Sequence, residues 1–401
     1  MDLNPRCLDK VKILIEKGVD ISNLFSIDIG DEVLCERISG KGVKIYPGCR
    51  IYGDKTVISR GAQIGAEGPA TIDNCQLGAD VELKGGYFNK AVFLEKSKMG
   101  LGAHVREGSI LEEESTCGHC VGLKQTILFP FVTLGSLINF CDCLMAGGTS
   151  RRNHSEVGSS YIHFNFTPAG DKATASLIGE VARGVMLRER PIFLGGQGGV
   201  VGPARIGYGN VVAAGSVMRE DCLDEGMLIF GKSCRNGAVK FASGFCSAPR
   251  RILENNILYL ANLTALEEWY RSVRVDSFAR DEFEQKVYGG ALEKLNLAKS
   301  ERINQLKKAA SKIVFNSSSE RTFLEQLDMF GESLALQARG MEEDRTFFLE
   351  AFSKHIRHGM NYIESIQGLP VDVVEKGSKW LQSIVDKIFR NSAEFFKEDD
   401  K

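Results

Sequence analysis

The chain has 401 residues, with 50 Lys and Arg against 52 Asp and Glu, for a formal net charge of −2. That length exceeds one ordinary core and predicts two domains, and the balanced charge supplies no field for nucleic acid or an anionic membrane. The opening residues carry Asp2, Arg6, Asp9, Lys10 and Lys12 and no apolar run suited to a signal peptide or a membrane span, so the expected setting is the cytoplasm.

In chain order, the first element is a short helix. Asn4 can cap it, Pro5 suits its first turn and Gly18 ends it, with Leu8, Val11 and Ile15 on one face. Residues 1–26 therefore read as a helix and cap over the open end of the adjoining domain. All but seven of the 43 glycines lie before Arg251, which divides the remainder into residues 27–248 and 249–401. In the first of these, an aliphatic or aromatic residue recurs at every sixth position, as in Leu77 and Leu83, Met99 and Val105, Val121 and Ile127, Val132 and Ile138, then Val200, Ile206, Val212 and Met218. Neither a helix nor a hairpin sheet has that period. A hexapeptide repeat does, each unit being a short strand and a turn whose aliphatic residue points into the axis of a parallel β-helix. The repeat breaks at Gly147 to Asn153 and at Thr167 to Ala175, and excursions from a rigid solenoid are where function tends to sit.

Eleven cysteines in a chain of this size read as buried thiols and not as a disulfide scaffold. The Cys117/Cys120 and Cys141/Cys143 pairs lack flanking signals for redox or zinc chemistry, so no metal is expected. Beyond Pro249, Leu253, Ile257, Leu260, Leu263, Leu266, Tyr270 and Val273 keep three- and four-residue spacing, and so, with one interruption, do Leu292, Leu295, Ile303, Leu306, Ala310 and Ile313. Ser317 to Glu320 has capping-box form, and further helices are expected at about Glu343 to Ile366 and Val371 to Phe396. The fold class is thus mainly β with a helical domain: a left-handed parallel β-helix followed by a C-terminal α-helical bundle.

Strand alternation over Tyr161 to Thr167 places Tyr161, His163, Asn165 and Thr167 on one face, and Ile162, Phe164 and Phe166 on the other. If the apolar set fills the axis, His163 and Asn165 stand outward. His154 follows Arg151 and Arg152, whose guanidinium forks suit phosphate while a neutral imidazole could accept a proton, and Lys172 adds a third cation. The Gly195 to Gly199 run is followed directly by Val200 and Val201, so it is a tight corner or a site of close backbone approach and not a P-loop.

The repeat resembles that of the left-handed β-helix, or hexapeptide-repeat, acyltransferases, over about residues 27–235. Within that group, Phe164-Asn-Phe, Lys172 and Leu177-Ile-Gly-Glu180 are most similar to the acetyltransferase half of the bifunctional UDP-N-acetylglucosamine pyrophosphorylase/glucosamine-1-phosphate acetyltransferase. The resemblance implies a homotrimer and an acyl-CoA-dependent transfer, from acetyl-CoA or another acyl-CoA, to a phosphorylated or nucleotide-linked amino sugar. Asn139, Arg151, Arg152, Asn165 and Lys172 are then the substrate contacts, His154 or His163 the catalytic base, and Gly195, Gly196, Ala213 and Ala214 the acyl-CoA groove. The family's base belongs to an Asn-His segment one coil earlier, where this chain has Asn139-Phe140. That departure supports an alternative, a non-catalytic sugar-nucleotide-binding or scaffolding trimer. Nucleotidyl transfer is not expected, because no Gly-rich nucleotide loop on a doubly wound domain precedes the solenoid.

Overall fold

The computed structural model describes residues 5–164, 173–231, 237, 238, 240, 249–279, 281–310, 325–338, 340–356 and 360–393. A parallel β-solenoid of about 11 turns is followed by a helical region. Each coil places three short strands on three faces of a prism. One coil runs through Gly86–Asn89 on the first face, Val92–Phe93 on the second and Lys98–Met99 on the third, and every neighbouring coil pairs with it in parallel.

Stacking fixes which residue of each strand points inward. The first-face rungs Phe88, Val105 and Leu123 are in register and buried, and Phe140 stands opposite Leu123. Asn139 pairs with Ile162, so the inward rung after Phe140 is His163, which in turn stands opposite Val200. Ile162 is 46% exposed and Phe164 37%, whereas His163 is 5% exposed and Tyr161 is fully buried. The expected facing of this strand is therefore reversed. Local hydrophobicity favours burying Ile162 and Phe164, but a one-residue shift would turn every side chain to the other face, and the neighbouring coils hold the register.

The faces differ in what covers them. On the third face the first residue of each pair is outward and the second buried, as in Lys44–Ile45, Gln63–Ile64 and Glu82–Leu83. On the second face both are buried: Val57–Ile58, Gln76–Leu77, Val92–Phe93 and Ile110–Leu111. A strand buried on both sides reads as an apolar run, and here the second cover is helical.

Helix α1 (Leu8–Glu16) closes the N-terminal end with Val11 and Leu14 buried and Ile15 turned outward; Asn4 lies outside the described residues. A four-residue helix, α2 (Val181–Gly184), interrupts the later coils. Then come α3 (Pro249–Trp269), α4 (Val275–Phe278), α5 (Glu282–Ala310), α6 (Leu327–Gln337), α7 (Glu342–His355), α8 (Tyr362–Gln367) and α9 (Val371–Ala393). The single helix expected over Glu343 to Ile366 is thus two: Ile356 turns to an extended conformation, and Asn361 with Glu364 forms a capping box that restarts the chain as α8. The Ser317 to Glu320 box lies outside the described residues. Helix α5 packs on the second-face strands at Val57, Gln76 and Val92, and α3 on Ser176–Ile178. Leu253, Ile257, Leu260, Leu263 and Leu266 are buried, as the spacing predicts.

Where α3 gives way to α4, Tyr270–Arg274 widens into a π turn, and Arg274 is fully buried. Its guanidinium meets Glu112 and Glu113 of the solenoid and lies over the rings of Tyr270, Phe278 and Tyr362. Tyr270 donates to Glu112 Oε1 at 2.5 Å. Burial above all pushes the Glu112 carboxyl up to about 7, Arg274 opposing the rise and Glu113 adding to it. A carboxyl whose pKa is raised in the fold stabilises most below its ordinary value and loses that contribution as pH climbs through the raised one. Stability measured by urea unfolding is expected to fall between about pH 5 and pH 8, and Glu112→Gln to flatten that fall. An unchanged profile in the variant would mean that another group sets it.

Candidate functional site

The first excursion is a hairpin. Gly148–Ser150 pairs antiparallel with Asn153–His154 between the second-face strand ending at Met145 and the third-face strand Glu156–Val157. Gly147 and Gly148, with φ of +101° and +103°, make the exit, a conformation that glycine adopts without steric cost. Arg151 is half-buried and turns back onto the prism. Its Nη1 donates to Glu114 O at 3.0 Å, Phe131 O at 2.6 Å and Thr133 Oγ1 at 2.9 Å, pinning the hairpin to the prism, and burial lowers its pKa. Arg152 is exposed, with no side-chain partner among the described residues. The His154 side chain is 18% exposed, its Nε2 3.7 Å from Glu156 Oε2, and its Nδ1 is buried without a partner among the described residues.

His163 lies elsewhere, inside the prism. Its Nδ1 contacts Cys141 O and its Nε2 is 2.8 Å from Ser176 Oγ. Burial foremost pushes its pKa down to about 4, so the ring is neutral, donating from Nδ1 and accepting at Nε2. Phe140, beside it, is fully buried. Asn139 is outward and exposed on the first face, with Cys141 Sγ 3.5 Å from its Oδ1. Asn165 and Lys172 lie outside the described residues. One protomer therefore does not bring His154, His163 and Asn139 together: the first stands at the corner between second and third faces, the second on the axis and the third on the first face.

Gly195, Gly196, Ala213 and Ala214 do form one feature, the corner between third and first faces. A Cβ on Gly195 would lie 2.3 Å from Ala214 N, and one on Gly158 2.4 Å from Gly196 N, so coil stacking itself demands those glycines. The next position in each coil forms a column of His119, Ser136, Ser159, Gly196 and Ala214. In its earlier coils a serine caps the preceding amide: His119 N–H donates to Ser136 Oγ at 3.3 Å and Ser136 N–H to Ser159 Oγ at 3.1 Å. Gly196 and Ala214 have no hydroxyl to offer. The N–H groups of Ser159, Gly196 and Ala214 have no partner among the described residues, leaving a short ladder of donors along the corner. Apolar side chains flank it: Phe193, Val211, Leu228 and Phe230 on the third-face side, Ile162 and Phe164 on the first, all exposed. The sequence reading missed Ser136 and Ser159, although Gly135-Ser136 and Gly158-Ser159 stand in the same place before Gly195-Gly196.

Parallel coils with a corner of small residues define a hexapeptide-repeat β-solenoid. Curated proteins similar to it include bifunctional GlmU proteins. The chain is 27% identical to bifunctional protein GlmU of Thermotoga maritima over 219 residues, 53% of this chain and 42% of the relative. It is 26% identical to that of Staphylococcus haemolyticus over 215 residues, 54% and 42% of the two chains, and 26% identical to that of Burkholderia thailandensis over 231 residues, 57% and 45%. The chain spans less than half the length of these relatives, and no family model matches it. Among the described residues no helix is long and apolar enough to cross a membrane.

Proposed function

We propose that this protein is an acyl-CoA-dependent acyltransferase, acting from acetyl-CoA or a related thioester on a phosphorylated or nucleotide-linked amino sugar, in the cytoplasm and as a homotrimer. The observation that carries the reading is the corner from Ser159 to Ala214, where three successive coils offer backbone donors, without a partner among the described residues, beside glycine and alanine. Such donors suit the amide carbonyls of a pantetheine arm and the thioester oxygen as it gains charge. The apolar residues on both sides of the corner support assembly. The third face is polar in its early coils, at Lys44, Gln63, Glu82 and Lys98, and turns apolar at Phe193, Val211 and Leu228, where a second copy would cover it.

In this reading Gly195, Gly196, Ala213 and Ala214 hold the acyl-CoA. Arg152, Asn139, Asn165 and Lys172 hold the acceptor, and His154 is the acceptor's base. His163, with both ring nitrogens engaged inside the prism, contributes by fixing the coil, and Arg151 by fixing the hairpin. Thiol release from acetyl-CoA, measured across amino-sugar phosphates and sugar nucleotides, tests the reading. Turnover with at least one acceptor is expected, falling by about 10²-fold or more in His154→Ala. The sealed Phe140, where the resembling enzymes carry their base, favours a second reading, a binding or scaffolding trimer. Tight binding of a sugar nucleotide without thiol release would select it.

A further inference from the structure

The helical region takes hold of the hairpin that carries His154. Helix α8 is a strut of less than two turns. At its first residue the Tyr362 hydroxyl accepts from Trp269 Nε1 at 2.9 Å, and the Arg274 guanidinium lies 3.9 Å from the ring centroid, so the buried cluster on Glu112 and Glu113 sets this end. At its last residue the Gln367 side-chain amide donates to Thr149 O at 2.7 Å and to Leu187 O at 3.1 Å. Arg188 answers from the solenoid: its Nη2 donates to Leu369 O and, at 2.8 Å, to Gln367 O, a carbonyl that no intrahelical donor reaches. Both carbonyls that Gln367 holds belong to irregular backbone. Thr149 falls where the pairing shifts register between Gly148–His154 and Ser150–Asn153, and a bulged residue has no cross-strand partner. Leu187 stands at φ +56°, a left-handed conformation that leucine rarely adopts. One amide with two hydrogens thus fastens a bulge and a strained turn to the end of a helix.

We propose that Gln367 is a positioning residue through which the helical region fixes His154 against the acceptor, a role that rests on the reading of His154 as the acceptor's base. His154 is paired with Gly148, the neighbour of Thr149. Releasing Thr149 O therefore frees the strand on which the imidazole is aligned, and the ring leaves its place beside Glu156. On the solenoid side Arg151 pins the turn, and Asn153 Nδ2 donates to Thr149 Oγ1 at 2.9 Å across the two strands. Those contacts keep the hairpin on the prism, and Gln367 settles where along the prism it stands. A base displaced by about 1 Å from its working geometry can lose a large part of its effect. The corner at Gly195, Gly196, Ala213 and Ala214 runs along the other edge of the third face, so acyl-donor binding is independent of the clip. The helical region thereby takes part in the reaction besides covering the second face.

Diethyl pyrocarbonate, which acylates neutral imidazole, tests the clip in full-length protein without acyl-CoA or a sugar. Modification of His154, located by peptide mass, is expected to quicken about 10-fold in Gln367→Met, which keeps the side-chain length and removes both donors. His119, exposed on the other edge of the third face, should react at an unchanged rate, which guards against a variant that merely unfolds. Gln367→Glu sets an acceptor against two acceptors and should quicken His154 at least as much. Gln367→Lys should restore the wild-type rate, because an ammonium can serve several carbonyls, as Lys10 does for Gly30 O, Asp31 O and Val33 O. In thiol release, kcat is expected to fall about 10-fold in Gln367→Met with KM for acetyl-CoA unchanged, and to recover in Gln367→Lys. A quickened His154 with thiol release at the wild-type rate would uphold the grip on the hairpin and sink His154 as the base. Absence of thiol release in every variant would count against the transferase reading, while the modification rates would still decide the clip. An unchanged rate at His154 in Gln367→Met, or an equal rise at His119, would overturn the positioning role.

Discussion

Replacing Arg274 by methionine is expected to destabilise the protein by about 3–5 kcal/mol, read as a fall in the urea midpoint. Arg274 is completely buried and is shared between Glu112 and Glu113, and the rings of Tyr270, Phe278 and Tyr362 enclose it, with centroids 4.8, 5.2 and 3.9 Å away. Removing the cation leaves the buried Glu112 and largely buried Glu113 carboxyls without their partner, and the loss of that partner dominates any gain from a flexible apolar side chain. Adding Glu112→Gln and Glu113→Gln to the same variant should recover most of the loss, because uncharged side chains carry a much smaller desolvation penalty. Lys55 and Glu293 also join the solenoid to the helical region, at 3.0 Å, but both are about half exposed. Lys55→Ala should therefore cost under about 1 kcal/mol. Equal losses from Arg274→Met and Lys55→Ala would defeat the argument.

A solenoid ending before Pro249 is expected to aggregate when expressed alone. The truncation bares the outward row of the second face: Val92, Ile110, Ile127, Leu144 and Leu177 stand in register along successive coils, and all are buried in the whole protein. Each such side chain loses about 1.5–3 kcal/mol of burial, and together they form one continuous apolar strip of the kind that drives association. Light scattering after gel filtration would record it, and lysine or glutamate at Val92, Ile110 and Ile127 should restore a soluble species. A truncated chain that runs as a compact, well-behaved particle without those changes would show that the helices are not the needed cover.

This row also shows what could be read from the residues and what could not. The sixth-position aliphatics disclosed the prism, because a glycine-punctuated period of six has few other physical solutions. The paired apolar residues Val57-Ile58, Val92-Phe93 and Ile110-Leu111, against Lys44-Ile45 and Glu82-Leu83 elsewhere, were a legible sign of a doubly covered face. The facing of Tyr161 to Phe164 was not legible from the strand itself, since either alternation buries something apolar. Only counting inward rungs from Phe88 through Val105, Leu123 and Phe140 across the hairpin reaches His163. Arg151 looked like a phosphate ligand because charge and position are visible in a sequence, whereas its return to Phe131 O and Thr133 is not. The serine-capped column escaped for a related reason: seventeen residues separate His119 from Ser136, and one turn of the solenoid brings them together.

In a bare solenoid each coil touches only its neighbours, so ends fray and interior segments open by turns. Here α5 reaches from Lys55, through Glu293, to Asp142, through Arg302, and α3 with the π turn that follows it carries on from Glu112, through Tyr270, to Asp221, through Arg251. The two helices act as a splint along most of the prism. Coils between Lys55 and Asp221 should therefore exchange their amide hydrogens as one cooperative block, while Leu228–Ile229, beyond the splint, and the coils before Lys55, held by α1, exchange sooner.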